Sequence, residues 1–339
     1  MCSDIPHSRL GKSGLFVSKI ALGTMTFGAR TDPKEAERIF SEATDAGVNF
    51  IDTANTYTQG ESEKIVGNLI KNSHHDLILA TKLGNPNGSG RNRRGLSRRW
   101  MVSEVEASLK RLGMDHVDIL YLHKEDHETP LEETARALED LRRAGKIRYY
   151  GASNFKAWRI INLLNISNSE GGDGPIVSQP LYHMLNRTAE IEQIPACARN
   201  GIGIVTYSPT ARGILTGKYK VNEAAPKDSR AAAKDKRMLE TEFHPANIET
   251  AEKIRNIADN RGIDIAEFST AWVLSNPNVS SVIAGPRTIE QWRAYSNSAR
   301  HEISLEDIEK INAIVPPGTT AIPNYIDPAY PVEGINPLG

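Results

Sequence analysis

Four ionisable side chains follow short apolar runs in this sequence, and together they could transfer a proton. Asp52 ends one apolar run and Tyr57 lies in the polar loop beyond it, while Lys82 and His123 each stand at the end of a later run. If these groups meet, an Asp–Lys pair holds a positive charge beside the phenol and lowers its pKa from the usual value of about 10. The imidazole can then orient a carbonyl oxygen or share the proton. The set therefore indicates a proton-donating site.

Other chemistries fit the same residues less well. Taken singly, each residue has a structural explanation, since a lysine at a strand end is usually solvated, a histidine there is often a core residue and an aspartate can cap a loop. A metal site is disfavoured because lysine is cationic and the sequence has no HxH or HExxH spacing. A Ser–His–Asp hydrolase is disfavoured because the sequence has no GxSxG turn.

Eight short apolar runs, each followed by an amphipathic stretch, must position these groups. The predicted strands are residues 17–23, 49–53, 76–84, 117–123, 147–153, 175–179, 201–209 and 279–285. The predicted helices are residues 32–47, 61–72, 99–114, 130–146, 154–166, 188–200, 249–260, 264–275 and 288–298. Runs of this kind are typical of strands buried on both faces, and their alternation with helices indicates βαβ units. Because no GxGxxG motif follows the first strand, a closed (β/α)8 TIM barrel is favoured over an open doubly wound sheet.

The chain is predicted to be one domain, residues 1–339, with long loops and a C-terminal tail. The segment 219–247 is charged, rich in alanine and aperiodic, so we predict a mobile loop there. The tail 316–339 is rich in proline. Proline is incompatible with a regular helix, so we predict an extended cover over the barrel mouth.

Composition and charge exclude several classes of partner. The 41 lysines and arginines balance 42 acidic residues, a formal net charge of −1, so no overall field favours nucleic acid or an acidic membrane. No window approaches the roughly 18 apolar residues of a membrane span. Cys2 and Cys197 form neither a disulfide framework nor a zinc motif, which favours a reducing compartment. We therefore predict a cytoplasmic protein that binds neither nucleic acid nor membrane.

Polar residues at the predicted strand ends should converge, because the catalytic groups of such barrels lie at the C-terminal ends of the strands. These residues are Asp52, Lys82, His123, Ser153, Asn154 and Gln179. We expect all of them to point into one funnel. Their convergence makes a purely structural explanation of each residue less plausible.

At this point the sequence resembles the aldo-keto reductase superfamily over nearly its whole length. The runs that carry the resemblance are NFIDTANTY (49–57), LATKLG (79–84), VDILYLH (117–123) and GKIRYYGASNF (145–155). Two further runs, LGKSGLFVSKIALGTMTFG (10–28) and YSPTARGILTGKY (207–219), are similar to the branch that includes potassium-channel β-subunits and bacterial general-stress reductases.

The resemblance implies a role for each of the four ionisable residues. Tyr57 would give its proton to a carbonyl oxygen while NADPH delivers a hydride to the carbon, with help from Lys82 and Asp52. His123 would orient the carbonyl. The implied function is the NADPH-dependent reduction of aldehydes or ketones, with a small-molecule carbonyl substrate. An NAD(P)-dependent sugar or alcohol dehydrogenase would use the same residues, and a redox-sensing binding subunit of the β-subunit type would also retain them.

The resemblance further implies a cofactor that lies extended across the barrel mouth without a Rossmann fold. Ser153, Asn154 and Gln179 would hold its carboxamide, and Tyr207 would stack under the nicotinamide ring. The other implied cofactor residues, among them those around the pyrophosphate, are Gly23, Thr24, Met25, Asp52, Ser208, Pro209, Thr210, Ala211, Arg212, Lys218, Gly285, Arg287 and Gln291.

The adenosine end of the implied cofactor site departs from the family pattern. Arg287 is suited to pairing with a ribose 2′-phosphate, because a guanidinium fork matches phosphate oxygens. This favours NADPH over NADH, although NADH stays open as an alternative. Ala294 and Tyr295 stand where the family usually has Glu and Asn at the adenine.

The sequence says less about the substrate. The candidate substrate-pocket residues are Met25, Phe27, Tyr57, Trp100, His123 and Tyr182. The loop 83–100 carries five arginines within residues 91–99 and either recognises an acidic or phosphorylated carbonyl compound or is simply solvated. The oligomeric state cannot be read from the sequence.

Overall fold

The short apolar runs form strands in the computed structural model, which describes residues 5–331. The strands are β1 (His7–Arg9), β2 (Phe16–Ser18), β3 (Ile20–Gly23), β4 (Phe50–Asp52), β5 (Ile78–Leu83), β6 (Val117–Leu122), β7 (Ile147–Ser153), β8 (Val177–Gln179), β9 (Gly203–Tyr207) and β10 (Ser281–Ala284). Strands β3 to β10 close into one barrel in the order β10-β3-β4-β5-β6-β7-β8-β9, and all neighbours are parallel. The predicted (β/α)8 barrel is therefore confirmed.

An N-terminal hairpin closes the end of the barrel where the strands begin. Strands β1 and β2 pair antiparallel, and Leu10 and Val17 are fully buried among the interior side chains of the barrel. In the hairpin turn, Gly11 has a φ of 57°, and a Cβ there would lie 2.4 Å from the carbonyl oxygen of Gly201. Only glycine fits this approach, because it has neither a Cβ nor a penalty at positive φ.

The predicted first strand, 17–23, is two strands in the structure. Residues up to Ser18 belong to the hairpin, and the barrel strand begins at Ile20. The buried Ser18 hydroxyl donates to the Ile20 carbonyl over 2.8 Å, and the Ser18 N–H donates to the Asn49 side chain over 2.7 Å. These side-chain bonds replace strand pairing where the chain changes sheets.

Helices follow the barrel strands and cover the outside of the barrel. They are α1 (Pro33–Asp45), α2 (Glu61–Ile70), α3 (Arg98–Leu112), α4 (Leu131–Arg143), α5 (Ala157–Ser169), α6 (Gln193–Asn200), α7 (Lys236–Glu240), α8 (Pro245–Asn260), α9 (Ile265–Ser275), α10 (Ile289–Ser298) and α11 (Leu305–Ile314). Helix α1 begins one residue after the predicted start at 32, because Asp32 is its N-cap: the Asp32 side chain accepts from the N–H groups of Lys34 and Glu35, and Pro33 is the first helical residue.

Several helices differ from the prediction at their ends or in their existence, and three of them have a clear local cause. Helix α8 begins four residues early because the His244 side chain caps it and Pro245 starts it. Residues 188–190 form a separate 3₁₀ turn, so α6 is shorter than predicted. Helix α11 was not predicted; its Ser304 capping box starts it, but only Asp307 and Ile311 are buried, so its amphipathic pattern is weak.

The segment 219–247 and the tail are more structured than their sequences indicate. The reading of 219–247 as aperiodic is wrong in part, because it contains α7 and fully buries Met238 in the main core. The tail has no helix from residue 316 to residue 331, and it is tied to the body by the bond from the Ala321 N–H to the Leu185 carbonyl. Cys2 and residues 332–339 lie outside the described residues.

Helices α2 and α3 pack unusually closely at Gly67. A Cβ at this position would lie 2.1 Å from the carbonyl oxygen of Leu112 and 2.6 Å from its carbonyl carbon. Beside this contact, Arg111 of α3 bonds to two buried carboxylates, Glu63 of α2 at 2.5 Å and Glu104 at 2.9 Å. The two helices are thus held by backbone proximity and by a buried ion-pair network.

We expect Gly67→Ala to destabilise the protein by ~1–3 kcal/mol, because the new methyl group must push the α3 backbone away. Helix propensity alone predicts the opposite sign, since alanine is favoured over glycine by about 1 kcal/mol in a helix interior. The free energy of unfolding from urea titration decides between them. Gly14→Ala is the control, since a Cβ at Gly14 meets nothing within 4 Å. A stabilised Gly67→Ala protein would contradict the packing argument.

Candidate active site

A cavity of about 320 Å³ opens at the carboxyl ends of the barrel strands. One side of it is formed by residues that follow β4, β6, β7 and β8, and the other by residues that follow β3, β9 and β10. The predicted site residues that line it are Gly23, Thr24, Met25, Asp52, Tyr57, His123, Ser153, Asn154, Gln179, Tyr207, Ser208, Pro209, Thr210, Arg212, Lys218, Gly285, Arg287 and Gln291. Of the six strand-end residues expected to converge, Asp52, His123, Ser153, Asn154 and Gln179 therefore line one cavity.

A buried ion pair forms the floor of the cavity. Lys82 has no exposed surface, and its ammonium contacts the carboxylate of Asp52, the Thr53 carbonyl at 2.9 Å and the Tyr57 hydroxyl at 3.1 Å. The second carboxylate oxygen of Asp52 accepts from the Gln179 amide at 3.0 Å. All three ammonium donors and both carboxylate oxygens are satisfied, as burial of charge requires.

The electrostatics keep Lys82 charged. Burial alone lowers the pKa of Lys82, but the Asp52 carboxylate and the Tyr57 phenol raise it above its usual value overall. Burial raises the pKa of Asp52, and this rise is opposed by Lys82 and Gln179. The ammonium is thus a fixed positive charge next to the Tyr57 hydroxyl, 4.7 Å from the ring centre.

The net pKa shift of Tyr57 is opposite to the prediction. Burial raises the pKa of Tyr57 above its usual value, Lys82 lowers it and Asp52 raises it again. The predicted effect of Lys82 is present, but desolvation of the phenolate is the larger effect. Tyr57 is therefore a neutral phenol with a cation in place to stabilise the phenolate once its proton leaves.

His123 is a neutral imidazole beside that phenol. Burial and the nearby Lys82 charge lower its pKa to about 3, so the ring is uncharged at neutral pH. The rings of His123 and Tyr57 lie edge to face with their centres 5.8 Å apart. The His123 carbonyl accepts from the Asn154 side chain at 2.9 Å, which fixes the end of β6.

The four residues predicted to hold a nicotinamide ring form one hydrogen-bonded chain. The Tyr207 hydroxyl donates to the Asn154 side-chain carbonyl at 2.7 Å, and the Asn154 amide donates to the Ser153 hydroxyl at 3.0 Å. Ser153 donates to the Gln179 main-chain carbonyl at 3.0 Å. Asn154 adopts a φ of 58°, which turns the chain out of β7 and brings its side chain into the cavity.

The opposite side of the cavity carries a cluster of cations. Arg30 and Arg287 both donate to the main-chain carbonyl of Asp228, at 2.9 and 3.1 Å. Burial lowers the pKa of Lys218, and the charges of Arg287, Arg230 and Arg30 lower it further, so these four cations lie close together. Such a cluster fits an anionic ligand, because like charges held close together repel one another until an anion joins them.

Helix α10 ends the cation side with a partly apolar surface. The Gln291 side chain accepts from the Arg287 N–H at 2.8 Å, which fixes the turn before the helix. Ala294 and Tyr295 both line the cavity, and the Tyr295 hydroxyl shares a hydrogen bond of 3.2 Å with Thr210. The residues that depart from the family pattern are thus part of the cavity wall.

Several predicted site residues do not line the cavity. Lys82 lies beneath it and Ala211 is fully buried behind it. The prediction of Phe27, Trp100 and Tyr182 as pocket walls is wrong for this cavity, because all three side chains are packed in the core instead. Tyr182, for example, stacks on Trp272 and donates to Glu190.

The arginine-rich loop also lies apart from the cavity. None of its five arginines is among the lining residues. Arg98 pairs with Asp140 of α4, and Arg94 lies 3.9 Å from the exposed Glu128. Of the two interpretations of this loop, solvated charge agrees with the structure and substrate recognition does not.

The structure adds lining residues that the sequence did not reveal. The charged and aromatic ones are Arg30, Asp228, Arg230, Arg237 and Tyr330, and the others are Thr26, Gly213, Thr216, Ala266 and Ile283. Arg230 and Arg237 lie in the segment 219–247, where the charged and aperiodic sequence predicted a mobile loop and no site. Tyr330 lies in the tail predicted to cover the mouth, and that prediction was the one signal for it.

Residues 5–331 contain neither a cluster of metal ligands nor a helix that could span a membrane. No group of three or more histidine, cysteine or acidic side chains in that range is placed to bind a metal ion. Among the helices described, none has the length and apolar character needed to cross a membrane.

One family model and several known proteins match this sequence. Residues 19–316 match the model of the aldo/keto reductase family. A probable voltage-gated potassium channel subunit beta of Arabidopsis thaliana is 41% identical over 287 residues, 82% of this chain and 86% of that protein. A protein of the same description from Oryza sativa subsp. japonica is 38% identical, over 91% of this chain and 96% of its own length.

A bacterial relative carries a different description. The uncharacterized oxidoreductase YrpG of Bacillus subtilis (strain 168) is 37% identical over 322 residues, 91% of this chain and 96% of that protein. The family match spans the barrel, including all the strand ends that form the cavity, and the rice and bacterial relatives each match 91% of this chain. This chain belongs to the aldo/keto reductase family.

Proposed function

We propose that this protein reduces aldehydes or ketones to alcohols with NADPH and that Tyr57 donates the proton. The observation that carries the proposal is the contact of the Lys82 ammonium with both Asp52 and the Tyr57 hydroxyl, beside a neutral His123. Membership of the aldo/keto reductase family and similarity to an oxidoreductase support the type of reaction.

The donor set of the cavity fits a phosphorylated dinucleotide. The cations Arg30, Lys218, Arg230 and Arg287 would hold the pyrophosphate and the ribose 2′-phosphate, since guanidinium groups bind phosphate oxygens in pairs. NADH lacks the 2′-phosphate and would leave part of this cluster without an anion. The remaining proposed cofactor contacts are Gly23, Thr24, Met25, Asp52, Ser153, Asn154, Gln179, Tyr207, Ser208, Pro209, Thr210, Gly285 and Gln291.

Each ionisable residue has one task in the proposed reaction. NADPH, when bound, supplies the hydride that the carbonyl carbon receives. Tyr57 holds its proton as a neutral phenol and transfers it to the carbonyl oxygen as negative charge develops there. Lys82, held by Asp52, stabilises the phenolate that remains. His123 lies beside the phenol, where a neutral imidazole can orient the carbonyl oxygen.

A second candidate function is that of a binding subunit whose association depends on the redox state of the cofactor. The observation that favours it is the description of two plant relatives, 41% and 38% identical, as probable potassium channel β-subunits. The same pocket would then bind the cofactor so that its redox state controls association, and turnover of the cofactor would be slow. Oxidation of a sugar or alcohol would use the same residues in reverse.

Replacement of the proton donor should abolish turnover without loss of cofactor. We expect Tyr57→Phe to lower kcat for aldehyde reduction by roughly 10²–10⁴-fold, because the proton then has no positioned donor. NADPH affinity should change little. The rate is followed by the absorbance of the reduced nicotinamide over a panel of aldehydes, ketones and sugars, and affinity by quenching of tryptophan fluorescence.

Tyr149→Phe is the matched control, since Tyr149 lies near the start of β7, away from the cavity. If Tyr57→Phe reduced aldehydes as fast as the parent protein, the assignment of Tyr57 would be wrong. If NADPH bound tightly and neither protein turned over any carbonyl compound, the binding-subunit function would be favoured instead.

The pH dependence of reduction should show no histidine ionisation. The pKa of His123 is lowered to about 3, so its ring stays neutral as pH falls from 8 to about 5, the range in which an ordinary histidine gains its proton. The pKa of Tyr57 is raised, so the phenol also stays protonated there. We expect kcat to be flat over this interval in buffers of constant ionic strength. An inflection near the ordinary histidine pKa of about 6.5 that vanishes in His123→Asn would contradict this arrangement.

Removal of one cation should change the choice of cofactor. We expect Arg287→Gln to weaken NADPH binding by roughly 10- to 100-fold, the usual cost of lost hydrogen bonds to a charged group, and to leave NADH binding nearly unchanged. Dissociation constants of both cofactors are compared with those of Arg94→Gln, which alters an exposed arginine outside the cavity. Equal weakening of NADPH and NADH would place Arg287 elsewhere than at the 2′-phosphate.

A further inference from the structure

The cavity has more cations than the proposed cofactor requires. Among the residues described, six cationic side chains line it, namely Arg30, Arg212, Lys218, Arg230, Arg237 and Arg287, against the two carboxylates Asp52 and Asp228. Four of the six form the cluster assigned to the cofactor phosphates. The two that remain are Arg212 and Arg237.

Arg212 directs an incompletely paired guanidinium at the cavity. Its Nε donates to the buried carboxylate of Glu242 at 2.9 Å, and its side chain is only 11% exposed. Within residues 5–331, no hydrogen bond from either Nη atom of Arg212 to a protein acceptor is present, and neither Nη is among the buried polar atoms without partners. Both terminal nitrogens are therefore accessible from the cavity that the side chain lines.

Arg212 also lies near the reacting groups. Its charge acts on Tyr57, where burial is the largest effect on the pKa and the Arg212 guanidinium is one of the charges that lower it. It acts in the same direction on the pKa of Tyr207, which burial raises. Arg212 follows Tyr207 closely, and its φ of 52° together with Gly213 at 103° bends the chain into the cavity.

Arg237 is different, because both of its terminal nitrogens already have carboxylate acceptors. It donates to Asp327 of the tail at 2.6 Å and to Glu240 at 3.3 Å. Its guanidinium also lies 6.0 Å from the centre of the Tyr330 ring. Arg237 therefore holds the tail so that Tyr330 lines the mouth. On this side of the cavity, Arg212 is the arginine whose terminal nitrogens have no acceptor among residues 5–331.

We infer that the Arg212 side chain binds a carboxylate carried by the carbonyl substrate, which rests on the proposed reductase function. The sequence resemblance had placed Arg212 at the cofactor pyrophosphate. A planar guanidinium matches a carboxylate, which can accept from both terminal nitrogens. A phosphorylated carbonyl compound fits less well, because its second negative charge would lie near Glu242 behind Arg212 and near the acids that pair with Arg237.

The first test compares 4-carboxybenzaldehyde with its methyl ester, which has the same reacting group and no charge. We expect kcat/KM with NADPH to favour the acid, and Arg212→Met to lower the value for the acid by roughly 10- to 100-fold. An effect common to both substrates, such as the loss of the Arg212 charge near Tyr57, cancels in the ratio of the two kcat/KM values, so the acid-to-ester ratio is the readout. Arg212→Lys keeps the charge without the fork and should retain part of the preference. Arg94→Met is the surface control.

The second test measures binding without turnover. Calorimetry of the acid and of the ester is performed on the protein saturated with NADP⁺, so that no hydride is available. We expect the preference for the acid to disappear in Arg212→Met, while the dissociation constant of NADPH stays unchanged. Because Arg212→Met leaves Glu242 without its partner, the double variant Arg212→Met/Glu242→Gln is measured as well, with thermal unfolding as the check on folding.

The outcomes separate this inference from the proposed function. An acid preference that persists in Arg212→Met and in the double variant Arg212→Met/Glu242→Gln would overturn the inference. So would a tenfold or greater loss of NADPH affinity in Arg212→Met with an unaltered acid preference. Reduction of the ester that depends on Tyr57, with no preference for the acid, would overturn the inference alone. Failure to bind NADPH would overturn the proposed function, and the calorimetric comparison of acid and ester on the protein alone would then decide the carboxylate site.

Discussion

The burial of the Lys82 ammonium is the constraint on which the rest of the site depends. A charge with no exposed surface is tolerated only if its donors are all satisfied, and here they are satisfied by Asp52, Thr53 and Tyr57. Since β4 and β5 are parallel neighbours, the two charges meet through strand pairing. The third partner is the Tyr57 hydroxyl, and the hydrogen bond to it is the one that can change during a reaction, when the phenol loses its proton.

A second buried network lies on the other face of β5 and holds the strand in place. Side chains alternate along a strand, so Lys82 faces the barrel interior while Thr81 faces the helices. Thr81 donates to Glu63 of α2 at 2.6 Å, and Arg111 of α3 pairs with the same carboxylate. The charged groups that lie against both faces of β5 are thus paired: Lys82 with Asp52 on the inner face, and Glu63 with Arg111 on the outer face. The position of Lys82 therefore depends on how closely α2 and α3 pack.

The sequence predicted the structure best where a local pattern of residue types is compatible with one kind of element or position. The eight barrel strands, the convergence of Asp52, Tyr57 and His123 and the cap of α1 all follow from local patterns. Patterns of charge could not separate the alternatives, because a charged loop can be solvated, as at Arg94, or can turn its cations toward the cavity, as at Arg230. The prediction of aromatic residues near strand ends as pocket walls was wrong for a similar reason, since Phe27, Trp100 and Tyr182 pack in the core. Such choices depend on contacts between distant segments, which local spacing does not contain.

The two sides of the cavity therefore differ in how they are built. The Tyr57 side consists mostly of strand ends, where neighbouring backbones fix the side chains of Asp52 and Lys82, and Tyr57 lies in the turn after β4 and accepts from Lys82. The cationic side consists largely of loop residues that are held by one another, as when Arg30 and Arg287 share the Asp228 carbonyl and Arg237 pairs with Asp327 of the tail. Rigid strand ends suit proton transfer, which needs fixed distances. Segments joined by a few exchangeable polar contacts suit the admission of a large ligand. Under the proposed function, the loop after β9 and the tail would therefore couple cofactor binding to substrate choice.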